Sequence, residues 1–272
     1  MSAPNEPTIS FEVPEGPIYF ISDIHLGAPA GPPEREQWLL DLLREVPERA
    51  AALIVLGDLF DFWFEYRHAI PKGTFRIARA FADAIDASVP VYYLGGNHDF
   101  WVADYLKHEI GILTFDHPIH ARLHGRVVHL AHGDGLGPGD TGYKILRVIL
   151  RNRLAIAAYR AIHPDLGIPF AHLASRLSRD SREDARSLLL PKIVRDVVVP
   201  RVGGTVSAMV MGHVHEPAHF KDAGREFLLI GDWIENFTHV RMEDGKFGLY
   251  RRRADGTQEA IPSEPFPDYQ AS

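Results

Sequence analysis

Five short apolar runs punctuate the chain: PIYFIS, AALIVLG, VPVYYLG, RVVHLA and VSAMVMG. Each ends at a small residue and gives way to polar ones. Runs of this length, rich in β-branched and aromatic residues, read as buried strands. Between the first three lie EREQWLLDLLREV and FRIARAFADAID, whose apolar residues return every three or four positions and predict amphipathic helices. Strand, polar loop, helix, strand is the pattern of an α/β core, in which sites form beyond the carboxyl ends of strands. After His213 the pattern changes to EFLLIGDW, THVRME and GKFGLYRR with Gly and Asp turns between them, which predicts a second sheet of largely antiparallel strands.

The stretch from about 139 to 200 is helical in pattern and interrupted at HPDLGIP. From Tyr143 to Arg186 it carries nine Lys or Arg (144, 147, 151, 153, 160, 176, 179, 182 and 186) against four acids (165, 180, 183 and 184), a local excess of +5 in a chain of net charge −7. Solvated helix faces account for such a bias, and so does a helical cap whose apolar and basic segment KILRVILRNRLAIAAYRAI meets an acyl chain or a membrane surface. The Pro-rich end, PSEPFPDYQAS, and the first residues read as loose tails.

Composition narrows the chemistry. Hydrophobic residues at 46% and charged ones at 24% of 272 are those of a folded globular chain. There is no cysteine, so disulfides and thiolate sites are excluded and any metal needs nitrogen and oxygen ligands. The acidic balance gives no global footprint for nucleic acid, and none is expected as a partner. The N-terminus lacks a positive region followed by an apolar run, so a cytoplasmic protein is expected, with peripheral contact at a membrane surface left open.

The polar clusters that end the five runs are SDIHLG with Asp23 and His25, GDLFDFW with Asp58 and Asp61, GNHD with Asn97, His98 and Asp99, AHGD with His132 and Asp134, and GHVH with His213 and His215. A lone DxH or HxH is commonplace, but five clusters at successive strand ends are not. In an extended segment, alternate side chains point the same way, so each pair could grip one centre. Carboxylate, imidazole and amide oxygen suit Mn²⁺, Fe or Zn²⁺. Seven ligands exceed the needs of one ion and match two, about 3.5–4 Å apart with a shared carboxylate, an arrangement that acts on phosphate esters. His98 is the candidate acid, with Asp99 fixing its tautomer, and Asp61 and Asp134 are candidates to orient a ligand His or cap a helix. His219 follows GHVH closely enough to line the site. His68, His108, His117, His120, His124, His129, His163, His172 and His239 lack motif context and read as structural or surface residues.

The ordered set DIH, GDxxD, GNHD, HGD and GHVH resembles the calcineurin-like metallophosphoesterases. The resemblance implies that Asp23, His25 and His215 bind one divalent ion, that Asn97, His132 and His213 bind the other, and that Asp58 bridges them. It also implies an α+β fold, a four-layer αββα sandwich of two mixed sheets, here a single domain over 16–255 with a helical cap insertion at 139–200 and loose tails at 1–15 and 256–272. Taken further, GDLFDFW, GNHDFW, HGDGLGPGDTGYKILR and GHVHEPA are similar to the UDP-2,3-diacylglucosamine pyrophosphatases of lipid A synthesis. That likeness implies two metals, Mn²⁺ first, and a nucleotide-lipid substrate cleaved to UMP and 2,3-diacylglucosamine 1-phosphate at the cytoplasmic face of the inner membrane. Asp140 and Tyr143 match its substrate-recognising positions, and Arg176, Arg179 and Arg182 are candidates for phosphate and glucosamine contact. Where that family often carries Arg after the metal-binding Asn, this chain has His98, as general phosphodiesterases do, so a phosphoesterase of the same fold with a soluble substrate stays beside it as the alternative. A non-enzymatic interaction domain on this scaffold would be expected to have lost ligands, and all seven are present.

Overall fold

Successive side chains of a strand point to opposite faces, so runs apolar at every position, such as IYFI, ALIVL and VYYL, have to be covered on both sides. The computed structural model describes residues 8–10, 15–99, 101–102, 104–135, 152–180, 186–222 and 224–267. Its strands in chain order are β1 (Thr8–Ser10), β2 (Ile18–Ile21), β3 (Ala52–Leu56), β4 (Val91–Leu94), β5 (Leu113–Phe115), β6 (Ile119–Leu123), β7 (Arg126–Ala131), β8 (Val206–Met211), β9 (Ala218–Lys221), β10 (Glu226–Leu229), β11 (Thr238–Glu243), β12 (Lys246–Arg252) and β13 (Gln258–Ile261). The α-helices among the described residues are α1 (Arg35–Arg49), α2 (Phe75–Asp86), α3 (Arg153–Arg160), α4 (Pro164–Asp180) and α5 (Arg186–Ile193), the last running into a π-helical turn at Val194–Val198.

The strands form two mixed sheets, one in the order β13-β12-β11-β2-β3-β4-β5 and the other β1-β6-β7-β8-β10-β9. Alternation decides what each face meets. Ile18, Phe20, Ile54 and Leu56 of the first sheet pack against Ala121, Val128, Leu130, Ala208 and Val210 of the second. The intervening residues Tyr19, Ile21, Leu53 and Val55 point outward to Leu39 and Leu43 of α1 and Ile77 and Phe81 of α2. On the far side, Met209, Met211 and Phe227 are covered by Val194, Val197 and Val198. The result is helix, sheet, sheet, helix: the four-layer α+β sandwich.

Two expectations change. The strands after His213 do not make a sheet of their own. β10 pairs parallel with β8 in the second sheet, whereas β11 pairs antiparallel with β2 and extends the first. The tails are also not wholly loose, because Thr8–Ser10 pairs with β6 and Gln258–Ile261 with β12, each as an outer strand. An outer strand is held by main-chain hydrogen bonds along one side, which leave little mark on side-chain composition.

His239 on β11 is fully buried, stacked between the rings of Tyr19 (centroids 5.9 Å apart) and Tyr250 (5.7 Å). Burial, and then the guanidiniums of Arg252 and Arg241, push its imidazole down to about 3. A depressed folded value means that the unfolded chain takes up the proton first, so stability is intact above about pH 6.5 and is lost progressively as pH falls toward 3. Each pH unit in that window costs about 1.4 kcal/mol from this residue. Urea denaturation of wild type and His239→Phe at pH 7 and pH 5 is expected to show the wild type losing roughly 2 kcal/mol more than the variant over that interval. Parallel losses in the two proteins would assign the acid sensitivity elsewhere.

Candidate metal centre

The polar clusters lie at the carboxyl ends of β2, β3, β4, β7 and β8, and the two sheets bring them together. Asp23, His25 and His215 form one group, and Asp58, His132 and His213 another. Asn97 joins the second, with Oδ1 3.2 Å from His132 Nε2. In each group the atoms facing inward crowd one another: His25 Nε2 is 3.1 Å from His215 Nε2, His215 Nε2 is 3.2 Å from Asp23 Oδ1, and His213 Nδ1 is 3.3 Å from His132 Nε2. Asp58 Oδ2 stands between the groups, 3.8 Å from His25 Nε2 and 3.3 Å from His132 Nε2.

The outward-facing atom of several of these side chains is already committed. His132 Nδ1–H donates to the Leu56 carbonyl at 2.8 Å, which places the free lone pair on Nε2. Asp58 Oδ1 accepts the His98 backbone N–H at 2.8 Å, leaving Oδ2 inward. Asp23 Oδ2 accepts from Ser22 Oγ at 2.6 Å and from the His213 N–H at 2.8 Å, while its buried Oδ1 makes no hydrogen bond among the described residues. A buried carboxylate oxygen left this way needs an explanation. Divalent ions fit it: bonds of about 2.1 Å give ligand-to-ligand edges of about 3.0 Å in an octahedron and about 3.4 Å in a tetrahedron, which brackets the 3.1–3.3 Å contacts above, with only the 3.8 Å from Asp58 Oδ2 to His25 lying longer. The donor set is carboxylate, imidazole and amide throughout.

Charge points the same way. Burial pushes the Asp58 carboxyl up, but the imidazoles of His132, His98 and His25 hold it well below the usual carboxylate range. Burial likewise pushes His132 down, yet the Asp58 carboxylate beside it raises the ring well above its ordinary value. Positive charge is favoured between these residues, whether carried by a proton or by a metal ion.

The backbone was not anticipated. The DIH and HVH segments are not extended. Asp23, His25, Asp58, His213 and His215 have φ of 54°, 48°, 51°, 71° and 63°, a left-handed conformation that costs a non-Gly residue about 1–2 kcal/mol. Alternate side chains converge because the chain turns left-handed at each of them, not because a strand is pleated. The loops after β2 and β3 hold one another in this state, with His25 N–H donating to Asp58 O at 2.9 Å and Leu26 N–H to Leu59 O at 2.9 Å. Buried Arg35 of α1 ties the same loop down, donating to the carbonyls of Ile24 at 2.6 Å and His25 at 2.8 Å.

Asp99 does not orient His98. Its carboxylate accepts from the backbone N–H groups of Gly96 (2.8 Å), Leu59 (2.7 Å) and Asp58 (3.2 Å) and from the Tyr93 hydroxyl, so it fastens the β3 loop to the β4 loop. Burial and the neighbouring Asp58 raise it to about 6. The His98 ring is oriented instead by the Asp61 main chain, with Nδ1–H donating to the carbonyl at 3.0 Å. His219 is in β9, 2.8 Å from Glu226, and does not line the centre. Asp140, Tyr143 and Arg182, and the side chains of Arg176 and Arg179, lie outside the described residues. Sequence reasoning also passed over Asp232, whose Oδ1 accepts the N–H groups of Ile234, Glu235 and Asn236 while its Oδ2 stands 3.8 Å from His215 Nδ1. The only signal for it is the GDW turn after an apolar run.

Two groups of inward-facing ligands around one carboxylate, at the strand ends of a two-sheet sandwich, make a centre at which divalent ions work on phosphate esters. The chain belongs to the calcineurin-like phosphoesterases, whose family model matches residues 16–217. Within them it is similar to proteins named UDP-2,3-diacylglucosamine hydrolase: 33% identical over 245 residues to that of Stenotrophomonas maltophilia, covering 85% of this chain and 96% of the relative. The relative from Pseudomonas fluorescens is 31% identical over 255 residues, 90% and 99% of the two chains. That from Porphyromonas gingivalis is 37% identical over 174 residues, 63% of this chain and 66% of the relative.

Proposed function

We propose that the chain hydrolyses the phosphoanhydride of UDP-2,3-diacylglucosamine, giving UMP and 2,3-diacylglucosamine 1-phosphate. The observation that carries this reading is the pairing of two ligand groups across Asp58 in a chain similar, over nearly all its length, to hydrolases of that nucleotide lipid. Asp23, His25 and His215 would hold one ion and Asn97, His132 and His213 the other; this mixed imidazole and oxygen donor set suits Mn²⁺, Fe or Zn²⁺, and Mn²⁺ is the ion that the likeness to the nucleotide-lipid hydrolases implies. Bound there, divalent ions supply Lewis-acid activation of the phosphoryl group and of water. Asp58 keeps its charge at neutral pH and would fix the spacing of the two groups. With Nδ1–H held by the Asp61 carbonyl, Nε2 is the position at which the His98 ring would take up a second proton and pass it to the departing phosphate oxygen. That phosphate is weakly basic, so its departure needs less acid than an alkoxide would.

The segment between β7 and β8 would cover the lipid. Helices α3 and α4 rest on the aromatic run of GDLFDFWFEY: Phe62 and Phe64 pack with Ala171 and Tyr159, while Phe60 and Trp63 turn into the main core. Their outer surface leaves Leu154 80%, Leu166 70% and Phe170 66% exposed, an apolar surface suited to acyl chains or the face of a bilayer. No helix among the described residues is long and apolar enough to cross a membrane.

The test is release of UMP from UDP-2,3-diacylglucosamine by the metal-free protein before and after addition of Mn²⁺, with turnover expected only after addition. His98 favours a second reading, a soluble phosphodiester as substrate. Hydrolysis of bis(p-nitrophenyl) phosphate without any release of UMP from the lipid would select it.

A further inference from the structure

His172, on α4, has no motif around it, yet it reaches the edge of the metal centre. Its Nδ1 is 3.2 Å from Asp61 Oδ2, and Asp61 is buried. Asp61 in turn faces both sides of the site. Its Oδ1 is 3.9 Å from Nδ1 of His25 and 3.9 Å from Nδ1 of His98, and its carbonyl accepts the His98 Nδ1–H. Its own N–H donates to the Leu26 carbonyl at 3.0 Å, which fixes it to the DIHLG turn. The His172 ring lies over that turn, where a Cβ on Gly27 would come 3.6 Å from its Cε1, and its ring centroid is 6.0 Å from that of Phe62 at a near-edge angle. The neighbouring Ala171 is buried against Phe62 and Phe64. Ala171 and Ile168 of α4 pack through apolar contacts without direction, and the Tyr159 hydroxyl donates to the Gly167 carbonyl at 2.7 Å from the neighbouring α3, whereas the hydrogen bond from the His172 imidazole to the Asp61 carboxylate fixes α4 in distance and angle against the metal centre itself.

We propose that His172 is a positioning residue: through its hydrogen bond to Asp61 it seats α4 against the metal centre, so that one buried carboxylate joins the substrate-covering segment to the rings of His25 and His98. This rests on the reading of α3 and α4 as the cover of the substrate. The role assigned to His172 is exerted through Asp61.

The experiment compares full-length wild type, His172→Ala and His172→Gln, each loaded with Mn²⁺. Two quantities are measured: amide hydrogen exchange over residues 164–172, and KM and kcat for UDP-2,3-diacylglucosamine. In His172→Ala, exchange over 164–172 is expected to quicken about tenfold and KM to rise about tenfold, with kcat changed by less than about twofold. His172→Gln can still offer an N–H to Asp61 and is expected to recover most of both. Unchanged exchange in His172→Ala would overturn the proposal, as would equal losses in the Ala and Gln variants, which mark a ring that only fills space. If wild type releases no UMP from the lipid, the reading of the substrate fails, and the exchange data with the Gln rescue still decide the role of His172.

Discussion

Asp58→Asn is expected to release UMP at least about a thousandfold more slowly than wild type and to retain no more than one Mn²⁺ per chain. The change keeps the size of the side chain and its ability to accept the His98 N–H, now made at 2.8 Å. It removes the anionic oxygen that stands 3.8 Å from the His25 Nε2 of one group and 3.3 Å from the His132 Nε2 of the other. In the orientation that keeps the His98 bond, an NH₂ group points at the lone pairs of His25 and His132. In the flipped one, the His98 N–H meets a second donor. A thousandfold loss is about 4 kcal/mol of transition-state stabilisation, appropriate to a group that would position both ions. Elemental analysis of bound manganese alongside steady-state rates gives the answer. Two tightly held ions and a rate within tenfold of wild type would mean that Asp58 does not bridge.

The second large effect comes from adding a methyl group. A Cβ at Gly96 would overlap Asp58 Oδ1 and come within 2.6 Å of the Asp58 nitrogen and 2.8 Å of its Cγ. One at Gly212 would overlap Ser22 Oγ and Asp23 Oδ2. Neither glycine has a left-handed φ, so alanine meets no backbone penalty there and any loss is steric. The atoms in the way cannot swing aside, because Asp58 and Asp23 are each pinned by a backbone N–H. Gly96→Ala and Gly212→Ala are each expected to cost about 1–3 kcal/mol of stability and, by displacing a ligand, at least about a hundredfold in activity. Gly73→Ala is the control: at φ 86° with nothing within 4 Å of the added methyl, it should lose only about 1 kcal/mol and no activity. Thermal melts and UMP release on the three variants separate strain from displacement. Wild-type metal content and rate in Gly96→Ala would show that the loops give way more easily than their hydrogen bonds imply.

The inner strands and both leading helices are legible because burial on two faces forces apolar runs and burial on one face forces a helical stripe. The ligand positions are legible for a related reason: Asp, Asn and His have no business at the ends of such runs unless something holds them there. Other features leave no such mark. The outer strands Thr8–Ser10 and Gln258–Ile261 are held by main-chain bonds along one side. The left-handed φ of five ligand residues leaves only a weak mark in residue type, since Asp and His are enriched in that region several-fold but occupy it in a small minority of cases. Adjacency in sequence points Asp99 at His98, whereas the fold turns its carboxylate back on the loop 40 residues earlier. His172 is the converse case, a residue 111 positions from Asp61 that only the docking of α4 brings into reach.

The ligands divide between the sheets. Asp23, His25, Asp58 and Asn97 follow β2, β3 and β4 of one, and His132, His213 and His215 follow β7 and β8 of the other. Each proposed ion would therefore be gripped from both slabs of the sandwich, and the inter-sheet core of Ile54, Leu56, Ala121, Ala208 and Val210 acts as a gauge block. Sliding one slab over the other by a fraction of an ångström would draw apart ligands of the same ion, at both sites at once. Side-chain volume deep in the seam thereby becomes a variable of the chemistry, set where no substrate atom ever reaches.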